Sequence, residues 1–178
     1  MTEYNVVRAL TTLQEGSLFV SNSMPIRDVD TFLPTGTSLR LLANRGANGI
    51  DGILSSALGA TFDATHRYLL VGDLAFIHDI NGLMTARTLP LTIILVNNAG
   101  GGIFSFLPQQ RLEQEVFEPL FGTPQHLDFA SLASGYGVTY QAIDSIAALR
   151  QALAEETNVT RILEVKTTRT ENVQMHRS

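Results

Sequence analysis

Residues 67–104 read RYLLVGDLAFIHDINGLMTARTLPLTIILVNNAGGGIF. Two apolar runs, RYLLVG at 67–72 and LTIILV at 91–96, flank a segment at 75–88 whose apolar residues recur at helical spacing. Strands that are apolar on both faces must be covered on both faces, and a helical crossover between them makes them parallel. The first run ends on Gly72-Asp73 and the second on Asn97-Asn98-Ala99 and three successive glycines. The stretch therefore predicts a β-α-β unit with its polar chemistry gathered at the carboxyl ends of the strands.

The same alternation extends in both directions. SLFV at 17–20, SLRLLA at 38–43, GVTYQAI at 137–143 and RILEVK at 161–166 read as further strands. Helical spacing is present at 51–62, 128–135 and 144–156, several of these after an Asp suited to an N-cap; 3–14 reads as a helix and 25–32 as a short one behind Pro25. Six strands alternating with helices predict an α/β fold, a doubly wound, mainly parallel six-stranded sheet with helices on both faces. Phe76 and Met84 are expected in its core. The segment 100–127 is a long excursion of the kind that is usually functional.

Composition bounds the function. The 178 residues suit one domain, and 44% hydrophobic with 16% charged residues suits a globular one. There is no cysteine, which excludes disulfides, thiolate chemistry and Cys-ligated metal. A net charge of −5 argues against nucleic acid as a partner. Eleven of the twelve basic residues are Arg and the other is Lys166, a bias that suits fixed carboxylate or phosphate recognition. The apolar runs are too short to span a membrane and the start MTEYN is no secretory signal, so the expected location is cytoplasmic.

In a doubly wound sheet, ligands bind beyond the carboxyl ends of the strands. Here those ends carry SNSMPIR at 21–27, NRGANGIDG at 44–52, GDLAF at 72–76 and NNAGGGIF at 97–104. Each alone has an ordinary reading: Gly-Asp and Asn-Asn are common turns, and Gly46, Gly49 and Gly52 miss the GxGxxG dinucleotide spacing. His66, His78, His126 and His176 have no metal-ligand spacing and read as solvated or hydrogen-bonded side chains. Four polar clusters at one edge of one sheet are what points to a site.

The pair GD at 72–73 and NN at 97–98 resembles the cofactor and metal signature of thiamine diphosphate-dependent decarboxylases and synthases, with Leu74 where that signature usually has a third glycine. SNSMPIRDVD, NRGANGIDG, GDLAFIHDING and NNAGGGIFSFLPQ together are similar to the C-terminal domain of one family among them. That family, the 2-succinyl-5-enolpyruvyl-6-hydroxy-3-cyclohexene-1-carboxylate synthases, serves menaquinone biosynthesis. The resemblance implies the thiamine diphosphate-binding fold over residues 1–178, as a single diphosphate- and metal-binding domain. It implies decarboxylation of 2-oxoglutarate and addition of the resulting succinyl carbanion to isochorismate.

It also implies residue roles. Asp73, Asn98 and the Gly100 carbonyl would hold Mg2+ (or Mn2+). Gly72, Asp73, Leu74 and Ala75 would meet the diphosphate, through backbone amides at 73–75, with glycines letting the main chain approach. Ile50 would prop the cofactor in its bent form, and Ile103 and Phe104 would wall the pocket. Ser23, Arg27 and Arg45 would contact substrate, Arg being able to grip a carboxylate through two parallel hydrogen bonds.

Thiamine enzymes generally take an activating glutamate from a separate pyrimidine-binding domain. The resemblance places that domain and a central domain outside these residues, in the same or a neighbouring subunit of a homo-oligomer, and Glu113, Glu115 and Glu118 read as a solvated helix face. The chain alone is then expected to be inactive, whether it is a piece of a longer protein or half of a split enzyme. A non-catalytic cofactor-binding module and a decarboxylase of another 2-oxo acid are the alternatives.

Overall fold

All six expected strands form in the computed structural model, which describes residues 1–177. They are β1 (Ser17–Val20), β2 (Arg40–Leu42), β3 (Arg67–Gly72), β4 (Thr92–Asn97), β5 (Thr139–Ile143) and β6 (Arg161–Lys166). The sheet runs β2-β1-β3-β4-β6-β5, and every neighbouring pair is parallel. Among the described residues no helix is long and apolar enough to cross a membrane.

Alternation along the central strands assigns side chains to two cores. Leu70, Ile94 and Val96 face one side, where α1 (Glu3–Ala9), α2 (Met24–Phe32) and α8 (Ile146–Ala154) add Val6, Val29 and Leu149. Leu69, Val71, Ile93 and Leu95 face the other, under α3 (Ile53–Ala60), α4 (Asp73–His78), α5 (Leu83–Ala86) and α7 (Phe129–Tyr136). Each buried Leu or Ile contributes roughly 1.5–3 kcal/mol, so a strand lined on both faces is held from both.

The segment predicted as one helix over 75–88 is broken into α4, a 3-10 turn at Ile80–Gly82, and α5. Asp79 leaves the helix to accept the Ser55 amide (2.7 Å) and hydroxyl (3.2 Å) at the start of α3. The break resets the helical phase: Phe76 and Leu83 are buried as expected or better, but Met84 is 67% exposed and is not core. Residue 3 to 14 likewise stops being α-helical at Ala9 and tightens into a 3-10 turn, Leu10–Thr12.

The excursion after β4 folds as two 3-10 turns (Gly102–Phe106 and Pro108–Arg111), α6 (Gln114–Phe117) and a π turn (Glu118–Gly122). Glu118 is not part of a solvated face: Arg169 bonds it at 2.8 Å. Arg169 begins α9 (Arg169–Arg177), a helix without an apolar stripe that docks through polar groups. Asn172 and His176 both reach the buried Asp28 on α2, at 3.2 and 2.7 Å, and the His176 ring packs on Phe32 and Phe106.

Candidate functional site

The chain leaves β1 toward β2 on one side and returns to β3 on the other, so a crevice opens beyond the carboxyl ends of β1 and β3. A cavity of about 360 Å³ occupies it. Ser23 and Arg27 enter from the end of β1, and Ile50 from the segment after β2. Gly72, Asp73, Leu74 and Ala75 come from the β3–α4 junction, and Asn98, Gly100, Ile103 and Phe104 from the loop after β4. Eleven of the residues proposed for one site, widely separated in sequence, thus share one cavity.

Arg45 is the exception. It lines an adjoining cavity of about 620 Å³, which it shares with Arg27 and Asp30. Its guanidinium donates to Asn22 Oδ1 at 3.0 Å, and Asn22 in turn lines the first cavity. The segment after β2 is exposed from Arg45 to Gly49, which is why this arginine lies at the mouth and not inside.

Asp73 is 2% exposed and, among the described residues, is the only acidic side chain lining the first cavity. One oxygen accepts the Leu74 amide (2.7 Å) and the other the Gly100 amide (2.9 Å). Burial pushes its carboxyl up to about 6, because backbone N–H groups from Leu74, Gly100 and Ala99 only partly replace water. Leu74's amide is therefore already used, which corrects the expectation that all three amides at 73–75 are free for phosphates. With six residues α4 is also short.

The two asparagines divide the work. Asn97 is tied into the fold: its Nδ2 donates to Glu164 (2.6 Å) and its Oδ1 accepts the Ala99 amide (3.1 Å). Asn98 donates through Nδ2 to Glu3 Oε1 (3.2 Å), while its Oδ1 is buried with no hydrogen-bond partner. A buried acceptor without a donor costs roughly 1–3 kcal/mol, and such a group calls for a cation or donor. Gly100's carbonyl accepts the Gly102 amide (2.9 Å) and keeps a second lone pair. A carboxylate, an amide oxygen and a carbonyl form a hard oxygen set with a single charge. It fits Mg2+ or Mn2+ that brings further oxygens from a diphosphate and water.

The glycines serve the chain's own packing more directly than expected. Gly100 has φ +131, and a Cβ there would collide with the Gly122 carbonyl oxygen of the π turn. A Cβ at Gly102 would lie 2.8 Å from Asn98 Nδ2. Backbone strain is concentrated at the same edge: Ser23 has φ 71 and Ala99 φ 57, both without being glycine. Arg27 donates to the Ser23 carbonyl at 2.6 Å and so steadies that strained turn.

Buried oxygen acceptors beside a cavity at the switch point of an all-parallel sheet suit a diphosphate cofactor, and comparison with known proteins supplies the class. The chain belongs to the family of thiamine pyrophosphate enzymes, matching their C-terminal TPP binding domain over residues 29–165. It is 56% identical over 166 residues to the 2-succinyl-5-enolpyruvyl-6-hydroxy-3-cyclohexene-1-carboxylate synthase of Geobacillus thermodenitrificans, covering 90% of this chain and 28% of that protein. It is 49% identical over 185 residues to the synthase of the same name from Oceanobacillus iheyensis, covering 100% of this chain and 32% of that protein. The chain thus spans roughly three tenths of the length of these relatives.

Among solved structures, a thiamine diphosphate-dependent 4-hydroxybenzoylformate decarboxylase from Rhodococcus jostii RHA1 superposes with a TM-score of 0.77 at 19% identity. The match covers 94% of this chain and 33% of that one. A thiamin diphosphate-dependent enzyme from Mycobacterium smegmatis gives 0.74 at 22%, covering 94% and 32%. At these identities the likeness is one of fold.

Sequence reasoning missed Glu3, Asn22, Glu164 and Arg169, which hold the named residues from behind. Asn22 lies inside SNSMPIR beside Ser23, whereas Glu3, Glu164 and Arg169 lie on other elements and carry no local motif. Only their charge, at otherwise buried positions, marks the two glutamates.

Proposed function

We propose that the chain is the diphosphate- and metal-binding domain of a thiamine-dependent synthase that decarboxylates 2-oxoglutarate and joins the resulting succinyl unit to isochorismate. The observation that carries this reading is Asn98 Oδ1, buried and unpartnered beside the same cavity as the buried Asp73 carboxylate. In it Asp73, Asn98 and Gly100 would hold Mg2+ or Mn2+, whose charge would offset that of the diphosphate. Thiamine diphosphate, when bound, supplies the electron sink that decarboxylation of a 2-oxo acid requires.

The chain's own residues bind and orient. Ile50 would support the cofactor, Ile103 and Phe104 would help exclude water from the cavity, and Leu74 and Ala75 would meet the diphosphate. Arg27 and Arg45 grip the carboxylates of the two substrates, and Ser23 positions the substrate beside them. Neither arginine has a carboxylate partner within the chain among the described residues, which leaves both available. Because Asp73 is the only acid in the cavity, the glutamate that activates the aminopyrimidine comes from a pyrimidine-binding domain, in the same or a neighbouring subunit of a homo-oligomer.

Calorimetric titration of thiamine diphosphate with Mg2+ tests the site. The wild-type chain is expected to bind and Asn98→Ala to lose at least tenfold in affinity; equal binding by both would remove the assignment. A panel of 2-oxo acids, run with a cognate pyrimidine domain, separates 2-oxoglutarate from its rivals.

A further inference from the structure

An asparagine amide has two ends of opposite character, and a cation site can use only one of them. If the Asn98 amide turned over, Nδ2 would take the place of the buried, unpartnered Oδ1 and repel a cation there. Nothing in the loop after β4 prevents this, since no hydrogen bond from that loop reaches the Asn98 side chain among the described residues. What fixes the amide is Glu3, from the far end of the sequence.

Glu3 sits in the first turn of α1 and is 2% exposed. Thr2 caps that helix, accepting the Asn5 amide at 3.2 Å, with Asn5 accepting the Thr2 amide in return, so the position of Glu3 is rigid. Its Oε1 accepts from Asn98 Nδ2 (3.2 Å) and from the Thr167 hydroxyl (2.9 Å). Thr167 is itself hooked to the loop, its amide donating to the Asn97 carbonyl at 3.0 Å. The other oxygen, Oε2, is buried without a partner. A proton on the carboxyl would therefore reside on Oε2, and Oε1 accepts in either protonation state.

We propose that Glu3 is a positioning residue for the cation site: by accepting from Asn98 Nδ2 it locks the amide with its unpartnered Oδ1 as the end left free for a cation. The proposal rests on the metal-binding reading given above. Both Glu3 and Thr167 lie outside residues 29–165, the span that matches the family's binding domain. Partners of this kind behind a ligand typically change metal affinity 10–100-fold when removed.

The test uses the 178-residue chain with saturating thiamine diphosphate, titrated with Mn2+ and read by the electron paramagnetic resonance of the free ion. Glu3→Met, close in volume and apolar, should weaken Mn2+ binding about tenfold or more, whereas Glu3→Gln, which keeps an acceptor, should stay within about threefold of wild type. The discriminating variant is Glu3→Met combined with Asn98→Asp. An aspartate has two equivalent oxygens and no orientation to fix, so this pair should regain affinity that a packing defect would not return.

Should Glu3→Met fail to fold, the side-chain amide of Asn98 in the wild-type chain provides the second measurement. Its hydrogen exchange is expected to be slowed about tenfold or more relative to an exposed asparagine such as Asn48; exchange at the exposed rate would overturn the proposal. Wild-type Mn2+ affinity in Glu3→Met, with loss in Asn98→Ala, would overturn it while leaving the metal reading in place. A double variant as weak as Glu3→Met would overturn it in favour of packing. Undiminished affinity in Asn98→Ala would overturn both.

Discussion

Asp73 accepts the Gly100 amide at 2.9 Å across 27 residues of sequence, so the end of β3 and the loop after β4 meet at the one carboxylate in the cavity. That carboxylate is surrounded by neutral donors, and burial raises it from 3.8 to about 6. The folded chain therefore binds a proton more tightly than the unfolded chain. Between about pH 4 and pH 6 folding is coupled to proton uptake, and stability falls as pH rises through that window. The fall amounts to roughly 3 kcal/mol for this group and is complete above it. Burial shifts Glu3 and Asp28 in the same direction.

Asp73→Asn should accordingly flatten part of that slope, while its amide nitrogen, unable to accept, leaves either the Leu74 or the Gly100 amide unpaired and so offsets the gain at neutral pH by roughly 1–3 kcal/mol. It should also bind Mg2+ and thiamine diphosphate at least tenfold more weakly. Urea melts from pH 4 to 7, with and without cofactor, report both. A variant that keeps both the wild-type pH slope and full cofactor affinity would contradict the assignment of Asp73.

Gly100 and Gly46 make a paired test of the loop. Gly100→Ala forces a side chain into φ +131 against the Gly122 carbonyl, and should cost about 2 kcal/mol or more in thermal or urea unfolding. Gly46 has open space and an ordinary φ, so Gly46→Ala should be neutral or stabilise by about 0.5 kcal/mol. Equal effects at the two positions would mean that the turn at 117–122 does not press on the loop as described.

The fold was legible because its strands are written twice, as apolar runs and as the polar clusters that end them. RYLLVG and LTIILV bury residues on both faces, so no register slip could hide them. The helices were less legible where tertiary contacts override spacing. Asp79 breaks the expected helix because Ser55 offers it two donors, and that partner is 24 residues away. α9 was invisible to periodicity because Asn172 and His176 dock it by hydrogen bonds to a buried aspartate. The cavity-facing residues could be read because they lie in motifs at strand ends, but that Arg45 lines the adjoining cavity could not, because a motif does not say how far its loop swings out. Glu3 could not be read at all: its partner Asn98 is 95 residues distant.

Arg27 and Arg45 stand at the boundary of two cavities, each held by a single bond to a neutral oxygen, Ser23 O at 2.6 Å and Asn22 Oδ1 at 3.0 Å. In a complete enzyme, Arg27→Ala or Arg45→Ala should lower kcat/KM by about thirtyfold or more, roughly 2 kcal/mol, for a substrate carboxylate left unpaired. Cofactor affinity should change by less than about threefold. The two variants should differ in which substrate suffers, since only Arg27 reaches the inner cavity. Unchanged kinetics with both substrates would make these surface arginines.

The excursion after β4 gives the last expectation, which concerns the chain on its own. Ile50, Ile103 and Phe104 are half-buried, whereas Leu107 (38%) and Leu112 (41%) beside the second 3-10 turn, Val116 (43%) on α6 and Leu120 (66%) in the π turn are exposed. Apolar surface of this kind beside a cavity marks a face for another protein surface, and under the reading proposed here that surface is the pyrimidine-binding domain. Sedimentation of the purified chain should show self-association that Leu120→Glu reduces without altering Mn2+ affinity. Product should be absent until a cognate pyrimidine domain is added, when CO2 release from 2-oxoglutarate should depend on both proteins. Leu120→Glu should then raise the concentration of that domain needed for half-maximal rate about tenfold, a charge having been placed in an apolar contact. Steady turnover by the chain alone would require a second acid at the cavity, and Asp73 is the only one its walls contain.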